Sequence, residues 1–104
     1  MELAEARRAA QSELETFSAP DNPLQLVEDG DVADIGWAWV YAFSTARWFV
    51  TRDPADAPPP GAGPIVVLKD SGATFHLAST PSFDQQLASY ARAHDLPTPA
   101  TLGW

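Results

Sequence analysis

Gly36-Trp37-Ala38-Trp39-Val40-Tyr41-Ala42-Phe43-Ser44 alternates large aromatic residues with small ones. Side chains alternate across a strand, so this pattern predicts four rings on one face and Ala38, Val40, Ala42 and Ser44 on the other. On a helix the same residues would be scattered around the axis. Burying each ring stabilises by about 1.5–3 kcal/mol, so the strand is expected to anchor the core, with Trp37, Trp39 and Tyr41 turned toward covering helices.

Working outward, Ile65-Val66-Val67-Leu68 is a short apolar run rich in β-branched residues, as a central strand requires. Lys69-Asp70-Ser71-Gly72 supplies turn chemistry, with Gly72 suited to positive φ, and Thr74–Ala78 returns as a second strand. Ile65 to Ala78 therefore reads as a hairpin. Upstream, Leu24 to about Glu28 reads as a first strand. Arg47 to Arg52 reads either as a continuation beyond a bulge or as an irregular return. Asp53 to Pro64, with Pro58-Pro59-Pro60, reads as an exposed loop.

Helices flank this core. Leu3, Ala6, Ala10, Leu14 and Phe17 recur at three- and four-residue steps, predicting a helix over Glu2–Phe17 that Pro20 prevents from continuing. Glu2 and Glu5 suit its first turn. Phe83, Leu87, Tyr90, Ala91 and His94 mark a second amphipathic helix, ending near His94 or Asp95 before Pro97 and Pro99. It opens either with Thr80 as cap and Pro81 first, or with Ser82 as cap and Gln85 completing a capping box. The expected fold is α+β: a four-stranded, mainly antiparallel sheet with the N-terminal and C-terminal helices packed on one face. The other face is then open to solvent or a partner.

A chain of 104 residues is long enough for one domain over 1–104, with a core at about 2–95 and a flexible tail at 96–104. It contains no cysteine, so neither disulfides nor thiolate metal sites hold it together. Met1-Glu2-Leu3-Ala4-Glu5 does not read as a secretory signal, and no apolar run is long enough to span a bilayer. The net charge of −8 disfavours nucleic acid and anionic membranes and favours a basic protein partner. The lack of cysteine is compatible with a reducing cytoplasm, and the expected state is a monomer or weak homodimer.

Glu28-Asp29-Gly30-Asp31-Val32-Ala33-Asp34 places four carboxylates in a short solvated region before the aromatic strand. Its spacing lacks the longer loop and distal bidentate Glu of an EF-hand, so no metal is expected there. Two histidines, His76 and His94, are placed at a strand and near a helix end, without ligand spacing or a nucleophile beside them. No Gly-rich phosphate loop or nucleophile elbow is present. The expectation is a protein that is not an enzyme and takes no cofactor.

Gly36-Trp37 with its alternating aromatics, Gly63-Pro64-Ile65-Val66-Val67-Leu68-Lys69-Asp70-Ser71-Gly72, and a downstream helix bearing Leu87 and Tyr90 together resemble the YrhB-like, or immunity protein 35, family. The resemblance covers Trp37 to Tyr90 and extends loosely to the first helix. It implies a small cytosolic bacterial protein, non-enzymatic, that binds and silences a cognate toxin. One branch of the family is chaperone-like, which gives the alternative of an accessory module for unfolded or peptide segments. Lys69, Ser71 and Gly72 match the family's turn and read as structural. The long Pro/Ala loop and the Pro-containing tail depart from the family pattern. The expected partner-binding residues are Glu28, Asp29, Asp31 and Asp34 with neighbouring exposed aromatics, facing a basic toxin domain.

Overall fold

The computed structural model describes residues 2–16, 18, 20, 23–56, 63–78 and 80–102. Phe17, the triple proline and Trp104 lie outside them. The first helix, α1 (Leu3–Glu15), buries Ala6, Ala10 and Leu14 completely, as their four-residue spacing demands.

The central strand β3 (Ala38–Tyr41) pairs antiparallel with β5 (Ile65–Leu68) on one side and with the short edge strand β2 (Ala33–Asp34) on the other. Strand β6 (Thr74–His76) completes the order β2-β3-β5-β6 and forms the expected hairpin with β5. The strand beginning at Leu24 is not a member of this sheet. As β1 (Leu24–Leu26) it pairs with β4 (Phe43–Thr45) in a separate two-stranded sheet. Leu26 stands opposite Phe43, and the Val27 amide donates to the Ala42 carbonyl. Residues 24–27 thus follow the aromatic segment past Tyr41, and the turn at Asp29–Asp31 bulges out before β2 rejoins β3.

The two terminal helices lie on opposite faces of the sheet, which corrects the expectation of one-sided cover. Tyr41, Ile65 and Val67 pack with Ala6, Ala10 and Leu14 of α1, and Trp39 and Phe43 lie against that core. On the other face Ala38, Val40, Val66 and Leu77 pack with Leu87 of the C-terminal helix α3 (Phe83–Ala93). The reason lies in the run Ile65-Val66-Val67, which is apolar toward both sides. A strand of that kind needs cover on each face, and all three residues are fully buried.

Trp37 also departs from the expected alternation. Gly36 has φ 105°, a backbone conformation that glycine adopts without a steric penalty. The turn it makes sends Trp37 to the α3 side, while Trp39 and Tyr41 stay on the α1 side.

Arg47 to Arg52, read as a strand continuation or an irregular return, instead lie in and just after a short helix, α2 (Ala46–Thr51). Thr45 caps it by accepting from the Trp48 amide at 3.0 Å, and the Thr45 hydroxyl also donates to the Asp56 carbonyl. At α3, Ser82 rather than Thr80 is the cap, accepting from the Gln85 amide at 3.2 Å. Gln86 fixes the approach by bonding both the amide and the carbonyl of Ala78 at 2.8 Å. The tail is tied down as far as it is described. Pro97 accepts from the Trp37 indole, the Ala100 amide donates to Ile35, and the Leu102 amide donates to Asp84.

Candidate protein-binding surface

The four expected carboxylates do not act as one group. Asp29 pairs with Arg7 of α1 at 2.6 Å, and the same guanidinium donates to the Val27 carbonyl. Asp34 pairs with Lys69 at 2.7 Å and accepts from the Gly36 amide at 2.9 Å. The hydrogen bond from Lys69, supported by that of the Gly36 amide, holds the Asp34 carboxyl below the ordinary carboxylate value. Lys69 also lies over the Trp39 ring at 4.7 Å. Glu28 and Asp31 are exposed and have no ion-pair partner among the described residues. Two of the four carboxylates therefore fasten the chain to itself, and two face solvent. No cluster of three or more metal-ligating side chains occurs among the described residues.

Beside Asp31 a groove of about 340 Å³ runs between the two-stranded sheet and α2. Val27, Ala42, Phe43, Ser44, Trp48, Phe49 and Arg52 form the rest of its lining. Trp48 and Phe49 meet edge to face with centroids 5.4 Å apart. The Arg52 guanidinium lies over both rings, at 4.4 Å from Trp48 and 5.5 Å from Phe49. Arg52 takes φ 57° as the residue that ends α2, and this turn brings its side chain back over them. Ser44 is 7% exposed, and its hydroxyl has no hydrogen-bond partner among the described residues. Val50, the next residue of α2 after Phe49, is 84% exposed.

Sequence reasoning missed this surface because it left residues 47–52 unassigned. The available signal was Thr45, a capping residue three positions before Trp48, followed by three consecutive large apolar residues. A helix of six residues has no face wide enough to bury all three.

A second groove, of about 450 Å³, follows the turn after β5 and is lined by Trp37, Lys69, Asp70, Ser71, Tyr90 and His94 among others. Tyr90 is the centre of a stack, with ring centroids 4.8 Å from Phe75, 5.4 Å from Trp37 and 4.0 Å from His94. Ser71 accepts from the Ala73 amide at 3.2 Å, so its hydroxyl shapes the turn. The other histidine, His76, places Nε2 at 3.0 Å from Glu13 and ties β6 to α1. Each histidine is thus engaged in packing or in linking elements.

Among the described residues no helix is long and apolar enough to cross a membrane. No curated protein and no solved structure matches the chain. The family model of immunity protein 35 matches residues 4–92. That match runs from the first turn of α1 through both sheets to the last turn of α3, and on it the chain belongs to the immunity protein 35 family.

Proposed function

We propose that the protein binds a cognate bacterial toxin and neutralises it by occupying its surface, without catalysis and without a cofactor, in the cytoplasm of the producing cell. The observation that carries this reading is the family match over residues 4–92. The net charge of −8 supports a basic toxin domain as the partner. Glu28 and Asp31 are the two members of the acidic stretch left to steer it, since Asp29 and Asp34 are held by Arg7 and Lys69. Exposed charges of this kind act chiefly on the association rate.

The chaperone-like alternative rests on one branch of the family, on the loop from Asp53 to Pro64 and on an open sheet face; only the last of these is addressed by the fold. With α1 on one face and α3 on the other, that support is gone. The test is to read the genes on either side and to co-express the protein with any toxin gene found there. Cells carrying both genes are expected to grow, with the two proteins recovered as one stoichiometric complex. Continued killing, or a protein that binds unrelated unfolded clients equally well, would overturn the proposal.

A further inference from the structure

The groove beside α2 has three features that converge on one kind of ligand. Its floor and walls are apolar, formed by Val27, Ala42, Phe43, Trp48 and Phe49. Within that lining the Ser44 hydroxyl is more than nine-tenths buried and unsatisfied among the described residues. Leaving such a group without a partner is costly, and the cost is relieved when a ligand supplies one. The one carboxylate among the described lining residues, Asp31, has no ion-pair partner among the described residues, and Glu28 lies three residues before it. Arg52 keeps its positive charge, but its guanidinium is engaged with the Trp48 and Phe49 faces, which leaves Asp31 as the lining charge open to a ligand's cation.

We infer that this groove is a docking site for a protein segment that presents a Lys or Arg next to a large apolar side chain. The apolar side chain enters between Phe43, Trp48 and Phe49. A backbone amide or carbonyl of the segment bonds the Ser44 hydroxyl, and the cation meets Asp31. The inference deepens the proposed function by naming the chemistry of the toxin segment, and it rests on that reading only for which protein carries the segment.

The probe is a phage-displayed library of random linear peptides panned on the intact protein, with enriched sequences remade and measured by fluorescence polarisation. Enriched peptides are expected to carry Lys or Arg beside an aromatic or large aliphatic residue. Asp31→Asn and Ser44→Ala are each expected to weaken them by about tenfold, the range of a single well-placed contact. Ser44→Ala separates binding from folding. Removing an unsatisfied hydroxyl leaves the thermal midpoint unchanged or raises it, while peptide affinity falls. Asp31→Asn leaves the midpoint unchanged because the carboxylate is exposed. Absence of enrichment, enrichment of acidic peptides, or peptides that bind both variants as tightly as the unaltered protein would each overturn the inference. Peptide binding that behaves as described in a protein that neutralises no toxin would sustain the groove and remove a toxin as its source.

Discussion

Trp37 and Trp39, separated by one alanine, belong to different cores: Trp37 stacks on Tyr90 on the α3 side, and Trp39 lies against the α1 side beneath Lys69. Regular alternation would put both on one face. Gly36 makes the difference, turning the chain just before β3 so that Trp37 reaches around to α3 and bonds Pro97 of the tail. One aromatic segment thereby fastens both helices, and the sheet carries two cores rather than one.

Truncation on either side of the sheet should therefore be costly. Tyr41→Ala, on the α1 side, and Leu87→Ala, on the α3 side, are each expected to destabilise the protein by about 2–5 kcal/mol. Trp39→Ala should cost less than Tyr41→Ala, since Trp39 is only partly buried whereas Tyr41 is completely so. Chemical denaturation of the three variants checks the order. A Leu87→Ala variant as stable as the unaltered protein would contradict the second core.

Gly63 is fixed by close approach. A Cβ built there would lie 1.6 Å from the Leu77 carbonyl oxygen, in the segment where the Leu77 amide donates to Pro64. Backbone cannot give way as a flexible side chain does. Gly63→Ala is expected to cost at least about 1–3 kcal/mol, read as a lowered denaturation midpoint. An unchanged midpoint would show that the strand ends are looser than the structure has them.

The Asp34–Lys69 pair predicts a pH effect of definite sign. The Asp34 carboxyl is held below its ordinary value of 3.8, chiefly by the Lys69 hydrogen bond. A carboxyl depressed in the folded state stabilises above the unfolded pKa and loses that stabilisation as pH falls through the folded one. At neutral pH Asp34→Asn should cost less than about 1 kcal/mol, because the pair is exposed, and salt should reduce the difference further. On acidification below 3.8 the two stability curves are expected to converge. Curves that stay parallel into strong acid would assign the effect to something other than ionisation.

Much of this fold was legible in residue spacing. The α1 stripe and the Ile65–Ala78 hairpin follow from local patterns that tertiary contacts do not overrule, whereas the choice of Ser82 over Thr80 as the α3 cap was made only by the structure. Helix placement was not legible locally. Val66 and Val40 read as one side of a half-open sheet until α3 is seen to cover them. The pairing of β1 with β4 was likewise hidden, because register past Tyr41 depends on a bulge at Asp29–Asp31 that charge alone marks only as a turn. Of the candidate site, the acidic stretch was visible but not its division. That Arg7 takes Asp29 and Lys69 takes Asp34 depends on elements 22 and 35 residues away in the chain.

If Glu28 and Asp31 steer a basic toxin, the double variant Glu28→Gln/Asp31→Asn should associate more slowly and lose most of the salt dependence of its on-rate. Asp29→Asn should instead act mainly on stability, by a few tenths of a kcal/mol up to about 1, through the lost contact with Arg7. Stopped-flow association at two ionic strengths separates the two. Equal on-rates for the double variant and the unaltered protein would move the contact away from this edge.

The central claim is tested most directly by titrating the purified protein into a fixed amount of whichever toxin domain co-purifies with it from the native cell and following the toxin's own activity. A stoichiometric inhibitor predicts a fall in proportion to the protein added, reaching zero at equimolar amounts. Toxin that stays fully active in large excess of the protein would contradict it.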